Sequence, residues 1–516
     1  PPTEPPIEEP TVEPTLPPVE PVEPPVVPTE PPEAPTVPPV GPPPVLPTPT
    51  VQTSIIEGSA VVNPPAQTSH VLLKNTSSNA ANVSVTVYNV ATGGTAFSNS
   101  FSLPGKGART LHANNGSSDS GHLYMNLTSD PNGQYSMVVE SSERLVAANV
   151  TAGGSPFVAH SIYEGLDATS TATDMLLPSV HWRDGQWSLI GIQNAGTAPA
   201  NVQIRYYNQA GVQLGATIGV ANLPVGAANY RNAITDVRGG AGNPCVEPCV
   251  GSVRVVSTNG QPLAVAIQET IQSYTYAYDG VPVNAASTTW RFPSVHRNPQ
   301  GQYSHILVQN TSGSPAVLTL TYYNQAGAMV NQFAGIVIPG NGALTFHTDG
   351  SVSTNGVNYT PTSLGNVGAA TIQVTNGVNV VANVVETVAG MPYSYNGFNA
   401  NGGATTVLLP SVHRNPAGQY SHTLVQNTST TQSNNIRITY YKQDGSVANQ
   451  FTKNLAPAGS ITFHTTNDLS TDGGNYTPTN LVNVGSAEVV SLDGRQIVAV
   501  VVETVAGIPG AYNGFK

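Results

Sequence analysis

Residues 293–310 read PSVHRNPQGQYSHILVQN, and residues 410–427 read PSVHRNPAGQYSHTLVQN; two of the eighteen positions differ. The fold turns on whether this pair is a chemical site kept twice or a structural unit copied along the chain. In the middle, Asn-Pro-Gln-Gly is a turn, with proline presetting φ and glycine taking a left-handed position. Folding the arms about that turn sets Arg297 opposite Gln302, His296 opposite Tyr303 and His305 opposite Ser294. Strand alternation then sends His296 and His305 to opposite faces. A related string, SVHWRDGQWS, holds His181 opposite Trp187, with Leu189 where His305 and His422 stand. The histidines are therefore expected to stabilise hairpins, and neither a metal site nor a catalytic site is assigned to them.

Working outward, PSVH recurs at 178–181, 293–296 and 410–413. The tyrosine pairs of RYYNQAG (Tyr206, Tyr207), TYYNQAG (Tyr322, Tyr323) and TYYKQDG (Tyr440, Tyr441) follow the same spacing, as do AVAIQET, VANVVET and VAVVVET with Glu269, Glu386 and Glu503. A diverged first copy shows HVLLKNTS at 70–77 and LVAANVTAGG at 145–154, with no counterpart of His296. The period equals one ordinary domain. Four repeats are expected, at 51–166, 167–284, 285–400 and 401–516. Short β-rich runs separated by Gly, Asn and Pro predict an all-β chain of four tandem antiparallel β-sandwiches, immunoglobulin-like or jelly-roll-like. Asn376-Gly377 is expected to close a hairpin. The connectors DATSTATDM, VNAASTTW and NANGGATTV predict an elongated array of beads able to bend.

Residues 1–50 contain 22 prolines and eight glutamates, without Lys or Arg. Proline removes amide donors and fixes φ, so a stiff polyproline II arm is expected. Those glutamates account for most of the net charge of -12. The rest is nearly neutral and has no basic stripe, which argues against a nucleic-acid partner. No apolar run is long enough to predict a membrane span. Cys245 and Cys249, the only cysteines, are read as a loop-pinning disulfide, which points outside a reducing cytosol.

Candidate chemistry is thin. Glu269, Glu386 and Glu503 lack a repeated nucleophile beside them, no nucleophile elbow, zinc helix or phosphate loop occurs, and no cofactor is expected. The acidic strings at 117–121, 128–133 and 467–474 read as turns. Sequons mark Asn75, Asn82, Asn115, Asn126, Asn149, Asn310, Asn358, Asn427 and Asn475 as glycan acceptors. The repeated tyrosine pairs are the expected subunit contacts.

A proline-rich stalk followed by copies marked PSVHR, TYYNQAG and VVETVAG resembles bacterial secreted or cell-surface proteins with immunoglobulin-like repeats. The resemblance implies an extracellular, non-enzymatic glycoprotein that self-assembles as a filament or appendage subunit. An adhesin or carbohydrate-binding array using Trp182, Trp187 and Trp290 is the alternative, with glycans as partners, and a secreted hydrolase is the third.

Overall fold

A computed structural model of the chain describes residues 50–56, 67–90, 92–127, 134–153, 158–167, 170–240, 245, 249–298, 301–415, 418–470, 472–505 and 507–516. The proline-rich arm expected at 1–50 lies, except for its last residue, outside them. Almost every described element is a strand; the main exception is a short helix, Ala233–Arg238, capped by the Asn232 side chain.

Repeats 2, 3 and 4 are each two antiparallel sheets packed face to face, and repeat 1 adds one parallel pair, Ala108–His112 with His122–Tyr124. In repeat 3 the outer sheet runs Met329–Ile338, Ala316–Asn324, Val367–Val374, Thr289–Asn298. The inner sheet runs Ala343–His347, Gln302–Asn310, Val380–Val388, Met391–Asn396. Repeats 2 and 4 share this order, and repeat 1 supplies the outer sheet's last strand from Thr50–Ile56.

The PSVH stretch is not a plain hairpin. Thr289–Asn298 pairs with the outer sheet, breaks register between Phe292 and Val295, and meets Gln302–Asn310 only at its tip. The bulge at Pro293-Ser294 is the corner that carries one strand from sheet to sheet. At the tip Arg297 faces Tyr303 and Asn298 faces Gln302, one residue out of the expected register. The same slip pairs Trp182 with Trp187, while His181 faces Val250. A second expectation also fails. Asn376-Gly377 joins strands of different sheets, and Asn376 bonds sideways to Val317 N and Pro315 O.

The four repeats do not form an elongated array. Their last inner strands, Val158–Glu164, Tyr274–Asp279, Met391–Asn396 and Ile508–Asn513, pack side by side in a closed cycle, first against second, third and fourth in turn and the fourth back against the first. The first two even pair as parallel strands. Both faces of the inner sheets are consequently buried. Leu263–Ile271, Val380–Val388 and Ile497–Val505 are buried at eight of nine positions each, whereas Ala200–Asn208 in an outer sheet alternates. Apolar clusters cross the repeat boundaries, as with Leu72, Val150 and Ile162 against the core of repeat 4. The connectors are stitched down as well, through the bridges Ala172–Leu263, Ser287–Val380 and Ala404–Ile497.

Candidate functional site

The centre of the cycle is built from one position repeated four times. Glu164, Asp279, Asn396 and Asn513 end the four central strands, and each side chain grips the backbone of a neighbouring repeat. Asp279 Oδ2 accepts from Glu164 N at 2.8 Å. Asn396 Nδ2 donates to Asp279 O at 3.0 Å. Asn513 accepts from Asn396 N and donates to Asn396 O, at 3.0 and 2.6 Å. Glu164 Oε1 closes the circle by accepting from Asn513 N at 2.6 Å. A cavity of about 340 Å³ beside this hub is lined from all four repeats, including Arg144, Glu164, Asp279, Trp290 and Lys516. Burial pushes the Glu164 carboxyl up to about 7, against the help of the Asn513 N–H. Burial raises Asp279 well above the usual carboxylate range, and the Glu164 charge adds to it.

A second ring of contacts lies at the rim. The turn after each tyrosine pair offers a carbonyl to the next repeat: Ala343 N donates to Gln209 O at 3.1 Å, Ser460 N to Gln325 O at 3.0 Å, and Ala108 N to Gln443 O at 3.1 Å. Gly211, Gly327 and Gly445 in these turns have φ of 81°, 84° and 85°. A Cβ there would overlap the carbonyl oxygen of Gly340, Pro457 or Gly105 in the adjoining repeat. The seam between repeats 1 and 2 differs, using Ser136 Oγ to Gly226 O at 2.6 Å and Tyr230 OH to Tyr135 O at 2.9 Å. These interfaces are all head-to-tail, and their rotation closes at four.

The repeated glutamates gain partners that sequence reasoning missed. Glu269, Glu386 and Glu503 are fully buried and lie opposite Ser188, Ser304 and Ser421 on the neighbouring strand. His181 Nδ1 bonds Glu269 at 2.6 Å, and Tyr276 OH donates to the same carboxylate. His296 and His413 stand 3.7 and 3.6 Å from Glu386 and Glu503. Glu386 takes bonds instead from Ser294 Oγ at 2.9 Å and Ser304 Oγ at 3.1 Å.

Serine, histidine and glutamate side by side invite comparison with a hydrolytic triad, but the bonding is wrong for one. A nucleophilic hydroxyl must meet an imidazole nitrogen. Here Ser188, Ser304 and Ser421 accept the backbone N–H of His181, His296 and His413 at 2.8, 2.7 and 2.8 Å. The cluster clasps the strand just past its bulge. Tyr278, Tyr395 and Tyr512 clasp the bulge itself, each hydroxyl donating to the carbonyl of Ser179, Ser294 or Ser411. The alignment of PSVH, Ser and Glu at a fixed spacing was the available signal, hidden because the three lie on different strands.

His305 does not face Ser294. It pairs across the inner sheet with His347, as His422 does with His464 and His70 with His112. Tyr206, Tyr322 and Tyr440 are core residues, at most 2% exposed, so they are not subunit contacts; Tyr207, Tyr323 and Tyr441 lie at the surface side of each pair. Four sequon asparagines are also corrected. Asn75, Asn310 and Asn427 are fully buried, and each donates to backbone carbonyls on both sides of a loop. Asn149 is buried against Tyr163 OH. Asn82, Asn115, Asn126, Asn358 and Asn475 are exposed. Cys245 and Cys249 are bonded to each other. Trp182 and Trp290 are 5% and 2% exposed, which removes two of the three rings of the expected carbohydrate platform.

No family model matches the chain, and no curated protein matches it either.

Proposed function

We propose that the chain is a non-enzymatic structural subunit of an extracellular filament or cell-surface appendage, with the four-sandwich ring as a rigid head. The observation that carries this is where the repeated polar residues go. Those of the hub and rim lock repeat to repeat, and the buried Glu, Ser and His clasps lock strand to strand. The clasp residues bond to one another and to backbone, and the hub side chains lining the central cavity are engaged with the backbone of neighbouring repeats. The disulfide fits an oxidising compartment.

The head-to-tail interfaces are consumed within the ring, so contacts with further copies fall to other surfaces. Thr95–Leu103, Gln213–Leu223, Met329–Ile338 and Val447–Leu455 each end an outer sheet. Their exposed residues are mostly Ser, Thr, Asn, Gln and Gly. Such edges accept an added strand without strong charge repulsion. The proline-rich arm is a second means of joining subunits. Electron microscopy of the full chain and of a chain lacking residues 1–50 tests this. Regular fibres from the full chain, lost on truncation, are expected; isolated rings at every concentration from both would refute it.

A further inference from the structure

We propose that repeat 3 carries a binding site for a divalent transition-metal cation of the Zn²⁺ type, formed by His305, His347 and Asp349. One ligand atom from each of the three lies within 4.8 Å of the others. His305 and His347 are directly opposite on adjacent strands, their rings 4.4 Å apart at 71°. Placement on two paired strands of a fully hydrogen-bonded sheet holds the imidazoles in register, and the Asp349 carboxylate sits at the solvent end. Two imidazoles and one carboxylate form a donor set of the kind zinc accepts.

The polar atoms themselves point to a missing partner. His305 Nε2 and His347 Nδ1 are inaccessible to solvent and have no hydrogen-bond partner. Repeat 1 shows the alternative: His70 and His112 bond to one another through Nδ1 at 2.8 Å. In repeat 3 the pair does not make that bond, and both nitrogens are left without a partner. Repeat 4 repeats the pair as His422 and His464, with Nε2 and Nδ1 again unpartnered. Repeat 2 carries Leu189 and Asn232 at these places and is a built-in control.

The test is calorimetric titration of the full chain with Zn²⁺, with Co²⁺ absorption as a second readout of the coordination shell. Wild-type protein should bind Zn²⁺ with micromolar or tighter affinity. His347→Ala should remove one equivalent. Asp349→Asn, an exposed change that leaves the fold alone, should weaken the same site roughly tenfold or more. Asn232→Ala should change nothing. Absence of Zn²⁺ binding by the wild type, or an unchanged stoichiometry and affinity in both His347→Ala and Asp349→Asn, would overturn the assignment.

Discussion

Hub and rim close the same ring by opposite means. At the hub a side chain reaches a neighbouring backbone, and the position is Glu, Asp, Asn and Asn in the four repeats. At the rim, backbone meets backbone, and the residue is glycine in all three seams of common design. A hydrogen bond to a main-chain group needs only an oxygen or nitrogen on a short arm, so several residue types suffice. A close approach of two turns at positive φ leaves room for no side chain at all. Function at an interface can thus be written either in variable polar positions or in fixed absences of a Cβ.

The rim should be the more fragile of the two. Gly327→Ala places a Cβ against Pro457 O and strains a φ of 84°. It should destabilise the protein by roughly 3 kcal/mol, seen as a lowered denaturant midpoint. Next in size is the loop latch. Asn310→Ala leaves the carbonyls of Ser314, Ile338 and Pro339 without their donor and should cost about 2–3 kcal/mol. Retained stability there would return Asn310 to the set of glycan acceptors.

The hub should titrate where the rim does not. Glu164 and Asp279 face each other, with Arg144 and Lys516 lining the same cavity. Both carboxyls have folded-state values above their unfolded ones, so the native state holds protons that the unfolded state releases. Stability is therefore highest below about pH 4.5 as far as these groups act, and falls as pH rises through about 7. Glu164→Gln with Asp279→Asn keeps both acceptors and should flatten that decline in thermal melts between pH 5 and 8. An unaltered slope would place the titration elsewhere. The smallest effect belongs to the bulge clasp: Tyr395→Phe removes the donor to Ser294 O and should cost about 1 kcal/mol.

Much of the β architecture was legible in the sequence. Alternation in AVLTLTYYN and the Gly and Asn turn clusters mark strands and their breaks, and the spacing of PSVH, TYY and VVET marks the repeat. The connections were less legible. Asn376-Gly377 has hairpin chemistry, yet turn preference does not say whether the next strand stays in its sheet. The PSVH register slipped by one because Asn298 pairs with Gln302, leaving three residues between the arms where the expected turn left four. The ring had a signal that went unused. VANVVET and VAVVVET are nearly continuous apolar runs, the mark of a strand covered on both faces, and a free bead would have left one face to water. The hub also had a signal, Tyr-X-Gly with Glu164, Asp279, Asn396 and Asn513 at its centre, but the identity of the central residue varies and nothing in the string says that it grips another repeat. The clasp around Glu386 was missed for another reason. Its Ser294, Ser304 and His296 come together only once the strand crosses between sheets.

Ring closure itself is tested most directly by a zero-length carbodiimide cross-link between Lys106 of repeat 1 and Glu488 of repeat 4, whose charged atoms lie 3.9 Å apart. Lys453 and Asp472, an ion pair within repeat 4, serve as the internal standard. In monomeric full-length protein, the Lys106–Glu488 peptide pair should be recovered alongside the standard. Recovery of the standard alone would mean that the first and fourth repeats do not meet, and that the chain is an open string of sandwiches after all.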